Sequence, residues 1–333
     1  LSDLQFIRNY RLEIDDANGV RHVFREKTPG TLNPVVGQEI VEGLRISFEV
    51  TEDLWGFPSM AKITVYNMGR DRIKQLQSAY SKIRLSVSYG DNQPKILFTG
   101  KVVNILALRQ NETSYTEFYC THAYEAYTFA TISKTWAEKT PLKTIVRDIM
   151  ATMPDITGGS LSALDGIILP DAYTGFGHAR YLLARLSEAY GFWWTIQLGE
   201  MFIIKKNGTL LEEDAIVITK NSGMIGSPTI TEIGINVTAL LNPDLRPFKL
   251  IKVESVAPQT NMGNLYVRNL QNTRTLGTGI YRIQRVVHTG DTWENTWQSD
   301  IVGRDFFGTN TDELESEAKS LNAARTSQGD KPI

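Results

Sequence analysis

The residues able to do chemistry are few and scattered. Four histidines stand at His22, His122, His178 and His288. No two share the spacing of a His-Glu-x-x-His site, which would put both imidazoles on one helix face. They read as turn or surface histidines. His288 is the best placed of the four, because Asp291 is near; yet His288-Thr289-Gly290-Asp291 reads more simply as a turn between a strand and Trp293. The one cysteine, Cys120, excludes an internal disulfide and a Cys-rich zinc site. It sits in the strand-like run Phe118-Tyr119-Cys120-Thr121 and reads as a buried structural thiol.

Other candidate chemistry fares no better. There is no Gly-x-Ser-x-Gly elbow and no P-loop. Gly158-Gly159-Ser160 is a bare loop signal with no Lys at phosphate-binding spacing. Glu212-Glu213-Asp214 is a carboxylate cluster, but glycosidase chemistry needs two carboxyls facing across ~5–10 Å, and this run reads as a solvated turn. The aromatic cluster Tyr190, Phe192, Trp193 and Trp194 suits a hairpin packed on a helix. Adjacent Trp193 and Trp194 point to opposite faces of a strand. One belongs to a core; the other is free for a subunit contact, where Trp is enriched. No catalytic, cofactor-binding or metal-ligating residue is assigned, and no cofactor or metal is expected.

The elements around these residues are mostly strands. Tyr10, Leu12 and Ile14 alternate with polar residues, as do Leu44, Ile46, Phe48 and Val50, and Ile83, Leu85, Val87 and Tyr89. Period two gives one buried and one wet face. A helix interrupts them, with Ile73, Leu76 and Tyr80 on one stripe. The middle changes character. Thr140 as N-cap and Pro141 as first helical residue open a helix carrying Leu142, Ile145, Val146, Ile149 and Met153. A second helix starts near His178 and ends at Gly191. A hairpin then turns at Leu198-Gly199-Glu200. The last third returns to strands, interrupted by an Asn-, Gln-, Thr- and Gly-rich loop over 257–276.

The chain of 333 residues is too long for one core. The expected fold is mainly β with an α/β middle: two β-barrel domains flanking a small α+β insertion. The expected boundaries are 1–124, 125–221 and 222–308, followed by a helical or disordered tail over 309–333. Lys plus Arg is 35 against 37 for Asp plus Glu, a net charge of -2. That gives no basic excess for a nucleic-acid binder. No apolar run is long enough for a membrane helix, and Leu1-Ser2-Asp3-Leu4 opens no signal peptide.

The order of motifs resembles a known family. Ile63-Thr64-Val65-Tyr66-Asn67-Met68, then the helix, Val87-Ser88-Tyr89-Gly90 and Leu97-Phe98-Thr99-Gly100-Lys101-Val102 come first. Ile132-Ser133-Lys134-Thr135-Trp136 and Leu186-Ser187-Glu188-Ala189-Tyr190-Gly191-Phe192 follow. Ser222-Gly223-Met224-Ile225-Gly226-Ser227-Pro228, Leu240-Leu241-Asn242-Pro243, Tyr281-Arg282-Ile283 and Val287-His288-Thr289-Gly290-Asp291-Thr292 complete the series, with Trp297. In this co-linear order, over residues 5 to 305, they resemble the baseplate or tail hub proteins of tailed phages, the Mu hub-like and late control protein D group.

The resemblance implies tail-tube-like barrels and a structural, non-enzymatic role in the virion. It implies a homotrimer whose six barrels match a sixfold tail tube above and a threefold spike below, around a channel for DNA and tape measure. Implied partners are further copies of the chain, the tail tube or its distal initiator, the central spike, and baseplate wedge and tape-measure proteins. Neither a membrane anchor nor specific nucleic-acid binding is implied, and no fused lysozyme or spike module is expected. Three alternatives stay open at this point: the hub of a phage-derived contractile injection or type VI secretion apparatus, a tail-associated peptidoglycan hydrolase, and an oligonucleotide-binding barrel.

Overall fold

The computed structural model describes residues 8–26, 37–54, 58–76, 81–90, 92–206, 215–231, 234–255, 259–260 and 278–305. Glu212-Glu213-Asp214, Tyr80, the tail over 309–333 and all of the 257–276 loop except 259–260 lie outside them.

The alternating runs of the first third form β1 (Arg8–Asp15), β2 (Arg21–Arg25), β3 (Gln38–Glu42), β4 (Ile46–Asp53), β5 (Met60–Tyr66), β6 (Lys82–Tyr89), β7 (Lys95–Gln110) and β8 (Thr113–Thr121). Helix α1 (Arg70–Leu76) lies between β5 and β6. Their inward residues, among them Leu12, Ile46, Phe48, Val50, Ile63, Leu85, Phe98, Phe118 and Cys120, make one hydrophobic core. Leu241 and Trp297 join that core from far along the chain.

The middle holds α2 (Tyr124–Thr128), β9 (Thr131–Trp136), α3 (Leu142–Met150), β10 (Tyr173–His178), α4 (Ala179–Tyr190), β11 (Phe192–Gln197) and β12 (Glu200–Lys205). The α3 stripe of Leu142, Ile145, Val146 and Ile149 packs with Leu182, Leu183 and Leu186 of α4 in a second core. Gly191 caps α4 at φ 69, a left-handed conformation that costs glycine little. Pro141 is the N-cap of α3, one residue later than Thr140, whose hydroxyl turns back to the Ala137 carbonyl. Gly158-Gly159-Ser160 is more than a loop. The Met201 amide donates to the Gly158 carbonyl at 2.7 Å, and the Ile203 amide to that of Ser160 at 2.9 Å. The segment thus lies along the edge of β12.

The last third forms β13 (Ile216–Thr219), β14 (Met224–Thr231), β15 (Gly234–Leu240), β16 (Leu250–Glu254), β17 (Gln259–Thr260), β18 (Thr278–Asp291) and β19 (Trp297–Asp305) around a third core.

Among the described residues these strands join in one sheet, and the two expected barrels are not seen as separate closed units. One sheet runs in the order β17-β14-β15-β19-β18-β4-β5-β8-β7-β6-β1-β2-β3, with β13 and β16 branching from β18. Among the described residues no pairing closes either half on itself. The reason lies in β18. Its first residues, Thr278 to Arg282, pair with β16. A bulge falls between Ile283 and Arg285. Beyond it the same edge pairs with β4, from Arg285 opposite Asp53 to Asp291 opposite Ser47. One strand therefore serves two lobes, and their sheets become one.

Candidate functional site: the assembly face and its joint

Strand alternation puts the polar residues of both lobes on one side of this shared sheet. Ser47, Glu49 and Thr51 of β4 stand beside Asp291, Thr289 and Val287 of β18. Next to them come Lys62, Thr64 and Tyr66 of β5, then Tyr119, Glu117 and Tyr115 of β8. In the other direction Asp300 of β19 and Thr238 of β15 continue the row. A broad groove of about 870 Å³ follows the face over β4, β5, β8 and β18.

Most of the charges on this face are paired. Lys62 meets Glu117 at 2.7 Å, and the Tyr119 hydroxyl donates to the other oxygen of Glu117 at 2.8 Å. Burial alone would raise the Glu117 carboxyl, but Lys62 and Tyr119 outweigh it and hold it below the usual range. Thr238 donates to Asp300 at 2.6 Å. Arg45 grips Asp291 at 2.7 Å and also pairs with Glu294. Its guanidinium stacks over Tyr66, 4.6 Å from the ring centre. Asp291 in turn accepts the amides of Trp293 and Glu294, and these bonds with Arg45 overcome burial to keep its carboxyl low. So the β18–β19 turn is clamped to the first lobe. The expected turn at His288 lies three residues too early, because β18 continues to Asp291.

Behind the face is a joint where all three parts of the chain meet. The connection from β15 to β16, residues 241–249, threads through it. Arg246 pairs with Glu52 of β4 at 2.6 Å, both side chains buried. Its other nitrogen donates to the carbonyls of Ile96 and Leu97. Burial pushes the Glu52 carboxyl up, although Arg246 opposes it. Gln197 of β11 donates to the Pro247 carbonyl at 3.0 Å. Phe248, at φ 77, a conformation rare for a bulky side chain, packs with Leu54 and Ile204. Trp193 is half-buried and packs against that cluster. Its neighbour Trp194 is in the middle core, stacked on Tyr127.

The surface reading of the histidines is corrected too. His22, His122 and His288 are buried, and only His178 is exposed. His288 donates from Nε2 to the Leu245 carbonyl, and its Nδ1 lies 2.8 Å from the Ser299 hydroxyl. The Asn242 amide donates to the same hydroxyl, so His288 anchors both ends of residues 242–245. Burial, with Arg246 near, drives its pKa down to about 3. His122 donates from Nδ1 to the Thr99 carbonyl and accepts the Gly199 amide at Nε2, joining the first lobe to the β11–β12 turn. Its pKa is lowered, chiefly by burial. Cys120 is buried as expected, and burial raises its thiol. Among the described residues no group of His, Cys, Asp and Glu could hold a metal, and no helix is long and apolar enough to cross a membrane.

The fold is that of phage tail proteins. It matches a 43 kDa tail protein of prophage MuSo2 from Shewanella oneidensis with a TM-score of 0.56 at 10% identity, covering 90% of this chain and 97% of that one. It matches a tail protein from Neisseria meningitidis MC58 with a TM-score of 0.54 at 6% identity, covering 89% and 96%. The E. coli c3393 protein, a component of the type VI secretion system, follows with a TM-score of 0.52 at 9% identity, covering 79% and 74%. No curated protein matches the sequence significantly. Residues 41–272 match the model of the family Baseplate hub gp41. That is more than half of the chain, and the chain belongs to this family of structural baseplate hub proteins of phage tails.

Proposed function

We propose that the chain forms a homotrimeric ring at the tail baseplate, each copy supplying two tube-like lobes. The domains would be 1–124, 125–221 and 222–308, the first and third being those lobes. Three copies then present six lobes to a sixfold tail tube or its distal initiator, and threefold symmetry to a central spike. Wedge and tape-measure proteins are the further neighbours in the virion. The observation that carries this reading is the pairing of β4 with β18, which fixes two lobes side by side in one sheet. A closed ring needs a heterologous contact that returns on itself after a set number of copies. With two lobes per chain, three copies suffice for a sixfold match.

The polar face suits the wall of a passage. Its charges are largely engaged with one another, and each free cation on such a wall would add affinity for DNA phosphates. The role is structural, with neither catalysis nor specific nucleic-acid binding. Electron microscopy of intact tails tests the reading: three copies around the axis are expected, and six copies or a single axial one would overturn it. Lysis of peptidoglycan in a zymogram would favour the hydrolase instead, and a salt-dependent shift with single-stranded DNA the oligonucleotide-binding module.

A further inference from the structure

Strand β7 is twice as long as the strand that flanks it. β6 covers one edge of β7 only up to Lys101. A bulge follows between Val102 and Asn104, and beyond it β7 pairs with β8 alone. Among the described residues the backbone of that second half is otherwise bonded only at Ile105, whose amide donates to Asn104 Oδ1 at 2.9 Å. Its side chains are uncharged up to Leu108, and Val103, Leu106 and Leu108 are 40%, 39% and 43% exposed.

Free edges are usually blunted by charge, shortness or covering, because their unpaired N–H and C=O groups invite another strand. The other edges of this sheet follow that rule. β3 carries Glu39 and Glu42, ion-paired with Arg72 and Arg25. β13 has four residues. β7 departs from the rule beyond its bulge, and at the far end of the sheet so does the start of β14, ahead of Pro228 and a break in register between Ile225 and Thr229. Among the described residues β14 is covered by β17 at Thr229 and Ile230 alone. Its start, Met224 to Ser227, is uncharged, and Ile225 is 39% exposed.

We infer that the edge of β7 over residues 103–109 is a docking strand for a second copy of this chain, which offers its β14 edge. The proposal rests on the ring reading and extends an interface already present. Within one chain the third part of the sequence joins the first lobe edge to edge, through β18 and β4. A ring that alternates the two lobes needs the same kind of contact again between chains. Among the described residues β7 beyond its bulge and the start of β14 are the edges left without charge or cover, one on each lobe, and they face away from each other along the strand order. A heterologous contact of this kind closes a ring when the rotation between copies is right.

The test uses assembled tails carrying Leu106→Cys together with Ile225→Cys, treated with a short bis-maleimide that tolerates a slip in register. Covalent dimers and trimers of this chain are expected on a denaturing gel, and neither single variant should give trimers. The native Cys120 is buried and supplies the background through unsubstituted tails. Absence of the ladder in tails whose micrographs show three copies would overturn the seam and leave the ring reading intact. A covalent product with a different tail protein would overturn it as well. A copy number other than three would sink the ring itself. As a second arm, Leu106→Lys with Leu108→Glu should leave the isolated chain's melting curve unchanged and abolish its incorporation into tails. Normal incorporation would overturn the proposal.

Discussion

Arg246 and Glu52 form an ion pair of 2.6 Å between parts of the chain 194 residues apart, and both side chains are buried. The guanidinium also satisfies two carbonyls of β7, so one side chain ties the connection over 241–249 to β4 and β7 together. A buried pair is costly to assemble and more costly to break, because the partner left behind stays charged and dry.

Arg246→Ala is therefore expected to lower the unfolding free energy by about 3–5 kcal/mol. Replacing both partners by apolar residues, Arg246→Met with Glu52→Leu, should recover much of that loss. Urea unfolding of the three proteins checks this. An unchanged midpoint for the single variant would show that the pair does not hold the joint.

Acid should loosen the same joint. Folded His288 takes its proton at about 3, against the usual 6.5 in the unfolded chain. Between these values the unfolded chain binds the proton and the fold does not. The neutral imidazole's contribution is thus complete above 6.5 and declines as pH falls, levelling off near 3. His122, also lowered, acts in the same direction. Glu52, raised by burial, opposes both at the acid end, since there the fold takes its proton first. The limiting slope is about 1.4 kcal/mol per pH unit for each histidine. His288→Gln should flatten the profile of urea midpoint against pH; a flat profile in the unsubstituted protein would contradict buried, neutral imidazoles.

Gly159 has no room for a side chain. At φ 132, a Cβ placed there would lie 1.6 Å from the Met201 carbonyl oxygen. Gly159→Ala should strip the 158–160 segment from β12 and cost on the order of 2 kcal/mol or more. Faster hydrogen exchange at the Met201 and Ile203 amides is the diagnostic readout. Protection equal to that of the parent protein would refute it.

Cys120 should be inert in the fold. Its thiol is buried and its pKa raised, and the thiolate is the reactive form. Labelling by an aromatic disulfide is expected to follow unfolding, with little reaction in native buffer. Rapid stoichiometric labelling of the native chain would show the site to be open.

Much of this architecture was readable in the residues. Period-two alternation located strands of the first lobe, short strand-like runs located those of the second, and the stripe from Leu142 to Ile149 located α3. Those signals are local, a few residues of apolar spacing. The union of the lobes is not local. β4 and β18 would show the same alternation whether each closed a separate barrel or paired with the other. The bulge between Ile283 and Arg285, which lets one strand serve two partners, has no glycine or proline to announce it. The histidines were misplaced for a related reason. An imidazole is buried when distant groups satisfy it, and Thr99, Gly199, Leu245 and Ser299 cannot be matched to His122 and His288 by spacing. Trp193 was half legible: alternation put it opposite Trp194, but only the fold shows Leu54 and Phe248 waiting there.

The shared sheet also sets an order of events during synthesis. Ile46 and Thr292 bond to each other across 246 residues of sequence. The edge of β4 must therefore wait, unpaired, while nearly all of the intervening chain leaves the ribosome. A waiting strand edge is a hazard for aggregation in a nascent chain. The hydrogen bonds that fix the lobes side by side are among the last to form, and their long separation makes that final step slow. A nascent chain stalled before β18 would carry a first lobe with one side open.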